Sequence, residues 1–186
     1  MNYKTPKKLA VIQDMAGIGR CSLSVALPII SACHVQACPM PTALFSNHTG
    51  FPTYYKHDFT PYIPDYLDAW KKLDQHFDGI YCGYLGSSAQ MELISSYIKE
   101  EKSLLPGTRI MIDPVFGDHG QLYHGLSDDY VSAMRSFIHS ADLITPNLTE
   151  ACFLTGTPFC ETECSSSVLY ALGERLCALG PSKIVI

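Results

Sequence analysis

The sequence has no run approaching the ~20 apolar residues that a bilayer-spanning helix needs, and its first residues, Met1-Asn2-Tyr3-Lys4, lack the apolar stretch of a secretory signal peptide. It has no C-x-x-C pair, although eight cysteines stand at 21, 33, 38, 82, 152, 160, 164 and 177. Cys160 and Cys164 are the closest two, and no matching Cys/His pair lies beside them, so a zinc site is not expected. Basic residues are scarce: 13 Lys and Arg against 18 Asp and Glu give a net charge of −5. The longest basic run is Lys4, Lys7, Lys8, which reads as solvating a terminus, and no nucleic-acid partner is expected. Internal repeats and low-complexity segments are also missing. These absences leave a reduced, cytoplasmic protein with no membrane contact.

What is present is core material. Hydrophobic residues make up 47% of the 186 positions and charged residues 17%, which suits one globular domain over 1–186. Strand-like runs alternate with helical patterns. Leu9–Ile12 reads as a buried strand, followed by a glycine-containing loop from Asp14 to Arg20. A helix from Cys21 to Cys33 follows, with Pro28 as a kink or boundary, then a short strand, Val35–Cys38. Residues 39–60 read as irregular or edge-strand structure. Pro61–His76 is predicted helical with Tyr62, Tyr66, Leu67, Trp70 and Leu73 on one stripe. Gly79–Leu85 reads as a strand entering a glycine loop. Ser88–Lys102 is a helix with Met91, Ile94 and Ile98 inward, and Arg109–Ile112 is a strand. Ser127 is placed as the N-cap of a helix to about His139. Leu143–Ile144 is a strand. Asn147 caps a short helix that Gly156 stops. Residues 165–179 form a helix, and Lys183–Ile186 opens a strand. The alternation implies βαβ units, a mostly parallel sheet and helices on both faces.

In such sheets ligands bind beyond the C-terminal strand ends, which directs attention to Asp14, Tyr84, Asp113 and Asn147. Gly17-Ile18-Gly19 suggests a dinucleotide fingerprint, but Ser22 stands at the third glycine position and no acidic residue ends the second strand. The glycines read as a tight strand-to-helix turn open to a ligand. Phe45-Ser46-Asn47-His48-Thr49-Gly50 is either a turn held by side-chain-to-backbone bonds or a polar wall for a small aromatic ligand. Tyr84 is either core or a cover for a planar ligand. Asp113 and Asp118 are either turn formers or carboxylates handling Mg²⁺ near phosphates. Asn147 with Glu150 fits a capping box, compatible with organising metal-bound water.

The order of these segments carries more than any one of them. Ser46-Asn47-His48-Thr49-Gly50, Gly83-Tyr84-Leu85-Gly86-Ser87, Asp113-Pro114-Val115-Phe116-Gly117-Asp118, Thr145-Pro146-Asn147 with Glu150, and Gly180-Pro181 before a strand resemble the pyridoxal (vitamin B6) kinases of the ribokinase-like group. Ile12-Gln13-Asp14 with Gly17-Ile18-Gly19-Arg20-Cys21-Ser22 resembles the pyridoxamine-kinase-like branch. The resemblance spans essentially the whole chain. It implies a three-layer α/β/α fold and ATP-dependent phosphorylation of the 5′-hydroxymethyl group of pyridoxal, pyridoxamine or pyridoxine. It also implies Mg²⁺, a monovalent cation (K⁺ or Na⁺) and a homodimer. By matching position, Asp14, Phe45, His48, Thr49 and Tyr84 would face the vitamin. Asp113, Asp118, Thr145, Asn147 and Glu150 would lie on the ATP and metal side, with Asp113 and Glu150 nearest the metal and Thr145 near the monovalent cation.

Two departures from the family pattern stand out. Many pyridoxal kinases have Ser where this chain has Asp14, and a carboxylate there would favour a ring or amine bearing positive charge. The family's downstream G-x-G-D segment, whose Asp takes the hydroxyl proton, does not occur between Met1 and Ile186. With the last residues reading as the middle of a strand, the expectation is an N-terminal portion of a kinase domain, its C-terminal part missing. Such a chain would lack the catalytic base and be inactive alone, with an exposed sheet edge. A hydroxymethylpyrimidine kinase of thiamine synthesis and a non-catalytic B6-binding or regulatory protein are the alternatives.

Overall fold

The first strand is longer than its apolar stretch. In the computed structural model, which describes residues 6–159 and 165–186, β1 (Lys8–Ile18) runs through the segment expected to be a loop. β2 (Gln36–Asn47) likewise runs through much of the segment expected to be irregular, and the two pair in parallel from Lys8↔Gln36 to Ile18↔Asn47. Mutual pairing explains both corrections: the C-terminal halves carry Asp, Gly, Pro and Ser, yet each supplies the backbone ladder of the other. Pro39 and Pro41 are tolerated because the antiparallel strand β3 (Lys56–Asp58) covers β2 only at Ala43–Phe45, leaving the proline half at an edge. The register shifts between Gln13 and Met15, where β2 advances from Pro41 to Leu44. This bulge inserts one extra residue into β2 and places Asp14 opposite it.

The chain divides into two compact units, Met1–Arg109 and Ile110–Ile186. In the first, β4 (Gly79–Cys82) pairs in parallel with the other side of β1. The helix α1 (Ser22–Ala32) contains Pro28 and packs Leu23 and Ala26 on Val11. The helix α2 (Ile63–Lys72) follows a 3-10 turn, Thr60–Tyr62. It is shorter than predicted, and its buried stripe is Ile63 and Leu67, while Tyr62 and Leu73 face solvent. The 17-residue helix α3 (Ser88–Leu104) buries Met91, Ile94 and Ile98 as expected. Trp70 joins α2 to its surroundings, with its ring 4.8 Å from Phe77 and 6.5 Å from Tyr97. Lys7 pairs with Asp78 and Lys8 with Gln75, so neither merely solvates a terminus. Lys4, like Cys160 and Cys164, lies outside the described residues.

In the second unit β5 (Arg109–Ile112) pairs in parallel with β8 (Leu143–Ile144), and β8 with β9 (Lys183–Ile184). Between β5 and β8 come a hairpin missed in the sequence, β6 (Gly117–Asp118) with β7 (Gln121–Leu122), and the helix α4 (Asp128–Ile138). Ser127 occupies the N-cap position without a side-chain capping bond, a correction to its expected role. The helix α5 (Leu148–Thr155) ends at Gly156 in the left-handed conformation, φ 67°. Arg135 of α4 donates from Nε to the Leu154 carbonyl at 2.7 Å, satisfying one of the exposed carbonyls at that end. The helix α6 (Ser166–Cys177) is capped by Ser165. Fully buried Phe116 packs edge-on against Tyr130 and Phe153. Among the described residues no helix is long and apolar enough to cross a membrane.

Gly17 has a structural reason other than a ligand-facing turn: a Cβ there would stand 2.8 Å from the Ser46 carbonyl oxygen of the paired strand. Gly17→Ala is therefore expected to lower stability by about 1–3 kcal/mol. A chemical-denaturation curve identical to that of the wild type would show that the strand pair has room.

Candidate active site

In the first unit the bulge sets Asp14 into a small polar and aromatic cluster. Asp14 is only 7% exposed. Burial pushes its carboxyl above the ordinary value, opposed by a Ser22 hydrogen bond and by the charges of His48 and Lys56. Phe45 packs with Ala16 and Ala43, and Cys21 and Tyr84 close over them. The Phe45 ring meets Tyr54 and Tyr84 edge-on, with centroids 5.8 and 6.0 Å away. Lys56, cross-strand partner of Phe45, places Nζ 5.8 Å from the Phe45 centroid and 5.7 Å from that of Tyr84. It also donates to the Tyr84 hydroxyl at 3.4 Å.

The Ser46–Gly50 segment is a turn held by its own side chains. Tyr55 N–H donates to Ser46 Oγ, Asn47 Nδ2 to the Thr53 carbonyl, and Gly50 N–H to His48 Nδ1. Asp14, Phe45, His48 and Tyr84 are thus brought together. Thr49 lies exposed in the turn and takes no part in the described ring and hydrogen-bond contacts. Lys56 and Tyr54 were not found from the sequence; Lys56 sits on a three-residue strand within a stretch that reads as irregular.

A buried amide fixes this arrangement. Gln90, fully buried on α3, donates to the Thr42 carbonyl at the bulge (2.9 Å), to Thr60 Oγ1 (2.9 Å) and to Asp58 Oδ1 (3.2 Å). Its Oε1 accepts from Gly86 N–H at 2.7 Å, while Thr42 Oγ1 donates to the Tyr84 carbonyl at 2.7 Å.

In the second unit the ends of β5 and β8 carry Asp113 and Thr145, and the Thr145 hydroxyl donates to Asp113 Oδ1 at 3.1 Å. The capping box forms as expected: Asn147 Oδ1 accepts from Glu150 N–H, and Glu150 Oε2 accepts from Asn147 N–H. Asn147 Nδ2 also donates to the Gly117 carbonyl, and Glu150 Oε1 accepts from Phe116 N–H. Burial pushes the Glu150 carboxyl up to about 7 against these bonds, with a further push from Asp113. Burial likewise raises Asp113. Asp118 is exposed on β6 and holds the His119 N–H. Tyr123, unremarked in the sequence, lies in the field of Glu150, Asp118 and Asp113; burial and then those carboxylates raise its hydroxyl.

The donor set suits Mg²⁺. Among the described residues no three His, Cys, Asp or Glu side chains converge to cage a metal. A hard cation held by one or two carboxylates, keeping water and taking phosphate oxygens, needs no such cage. Asp113 and Glu150 are near enough to repel, which a dication would relieve. Both Glu150 oxygens already accept backbone N–H groups, so Glu150 would act through water.

A model of the phosphomethylpyrimidine kinase family matches residues 27–186. The chain belongs to the phosphomethylpyrimidine kinase family. Solved structures agree. A Bacteroides thetaiotaomicron protein provisionally named a phosphomethylpyrimidine kinase, crystallised with pyridoxal, is 40% identical with a TM-score of 0.92; the match covers 97% of this chain and 62% of that one. The pyridoxal kinase of Lactobacillus plantarum is 34% identical with a TM-score of 0.85, covering 97% and 64%. The pyridoxal kinase of Arabidopsis thaliana is 32% identical over 155 residues, 80% of this chain and 47% of that protein. The chain thus spans about half of the Arabidopsis relative and less than two-thirds of the two solved chains. The expected kinship with pyridoxal kinases and the α/β fold with a mostly parallel central sheet are both borne out.

Two measurements probe the geometry of this family member. Asp14 has a raised folded-state pKa, so its contribution is present below the unfolded value of 3.8 and lost as pH rises through the folded value. Asp14→Asn is expected to melt above the wild type at about pH 7.5, with the gain vanishing by about pH 4; a pH-independent difference would contradict this. Gln90→Met, which keeps the volume and removes every bond of the amide, is expected to cost about 2–3 kcal/mol in urea unfolding.

Proposed function

We propose that the protein transfers the γ-phosphoryl group of ATP to the 5′-hydroxymethyl oxygen of a vitamin B6 ring. The carrying observation is the buried Asp14 carboxylate in the field of His48 and Lys56, with Lys56 lying against the edge-packed Phe45 and Tyr84 rings, in a chain 40% identical to a protein crystallised with pyridoxal. A pyridine ring seated there keeps its apolar faces on Phe45 and Tyr84, and its protonated nitrogen donates to Asp14. His48 borders the ring and, by family position, so does Thr49.

The hydroxymethyl oxygen forms the new bond to the γ-phosphorus as the bond to ADP breaks, and the hydroxyl proton passes to a base. Asp113, Asp118, Thr145, Asn147 and Glu150 are assigned to the phosphate side. Asn147 acts there as a positioning residue, since its Oδ1 and Nδ2 are engaged by Glu150 and Gly117. Mg²⁺, held by Asp113 and through water by Glu150, would neutralise charge on the phosphates. Thr145 borders a K⁺ or Na⁺ site in this reading. A homodimer is proposed by family kinship. A reducing, cytoplasmic setting is supported by the free thiols of Cys21, Cys33, Cys38, Cys82 and Cys177, of which Cys82 is buried. No G-x-G-D occurs within 1–186, so we assign to these residues ring binding and phosphate positioning, with little turnover by themselves.

The description of the matching family favours a second reading, phosphorylation of a hydroxymethylpyrimidine. ADP release by the protein at its full natural length separates them. The expected result is turnover of B6 vitamers at roughly 1–100 per second, with the pyrimidine far slower; the reverse order would establish the second reading. Vitamer binding without turnover would establish a non-catalytic role. The 186-residue chain assayed alone is expected to bind and not turn over, and a rate in the same range would refute that assignment.

A further inference from the structure

The B6 reading leaves open which vitamer is taken, and Lys56 bears on it. We propose that Lys56 is a specificity-determining residue: its ammonium receives the 3-oxygen and the 4-carbonyl or 4-hydroxymethyl edge of the ring, selecting pyridoxal and pyridoxine over pyridoxamine and over aminopyrimidines. The proposal rests on the B6 reading of the same cluster.

Three observations carry it. Lys56 stands directly across from Phe45 in the β2–β3 pair, so backbone register directs it to the aromatic cluster. Its Nζ is nearly equidistant from the Phe45 and Tyr84 centroids, at 5.8 and 5.7 Å, and lies 3.4 Å from the Tyr84 hydroxyl. It also shares the cluster with Asp14, whose carboxylate feels its charge. One small site therefore offers a fixed anion and a cation on a flexible stem.

A 3-hydroxypyridine in its zwitterionic form is the complement of that pair. Its ring nitrogen carries a proton and its 3-oxygen a negative charge, so Asp14 can take the former and Lys56 the latter. The neighbouring carbonyl of pyridoxal or hydroxyl of pyridoxine adds an acceptor on the Lys56 side. Pyridoxamine instead puts an ammonium there, and like charges at that separation repel. A 4-aminopyrimidine has no anionic oxygen and turns an N–H donor toward a donor, which leaves both unpaired. Lys56 is exposed, so its contribution is screened and falls with ionic strength.

The test compares the wild type with Lys56→Met, Lys56→Gln and Lys56→Arg, at full natural length, by calorimetric binding of pyridoxal, pyridoxine and pyridoxamine. The expected wild-type order is pyridoxal and pyridoxine over pyridoxamine. Lys56→Met should narrow the pyridoxal-to-pyridoxamine ratio roughly fivefold at low salt and less at high salt, while Lys56→Arg keeps it. Lys56→Gln, neutral and polar, should narrow the ratio similarly, and it carries the test if the methionine variant does not fold. An unchanged ratio in the neutral variants, with pyridoxal still bound, overturns this inference and leaves the B6 reading intact. A wild type that binds no B6 ring overturns the B6 reading itself.

Discussion

The polar end of the first unit depends on Gln90. A side-chain amide buried in a helix must satisfy its two donors and its acceptor, or it costs more than an apolar residue in its place. Gln90 does so by reaching three separate pieces of chain: the bulge at Thr42, the Asp58 and Thr60 segment, and the loop at Gly86. Each piece borders residues of the Phe45–Tyr84 aromatic cluster. Holding them requires α3 to be in place first, so packing of Met91, Ile94 and Ile98 underlies the position of the site.

The second unit solves the equivalent problem with a carboxylate. Glu150 closes its own helix cap and also takes the Phe116 N–H, tying the 113–118 segment to the start of α5. A buried carboxylate without such donors would be far more expensive. The two units thus reach similar ends by different means, a neutral amide in one and an acid balanced by backbone N–H groups in the other.

Where the chemistry is local, the sequence was informative. The strands Arg109–Ile112 and Leu143–Ile144 and the Asn147/Glu150 cap match the structure because short apolar runs and capping side chains act within a few residues. The second halves of β1 and β2 were not legible. Asp14, Gly17, Pro41 and Ser46 favour turns, and only pairing between distant segments makes them strand. Lys56 and Tyr123 were missed for a related reason: each lies on or beside a strand of two or three residues, too short to show alternation. The ordered motifs pointed to Asp14, Phe45, His48 and Tyr84, but the cation among them appeared only once β3 had been paired with β2.

The bulge opposite Asp14 also bears on how this chain can change length. β1 and β2 are otherwise in step, and β2 gains one residue between Pro41 and Leu44. Phe45 stays opposite Ala16 beyond the bulge, so losing that residue would straighten β2 and remove the bend at Asp14 while keeping Phe45 on its face. Substitutions along β2 perturb one contact each, whereas a single deletion there would remove the bulge itself. Gaps between related sequences in this stretch are therefore more informative about the setting of Asp14 than the residue types beside them.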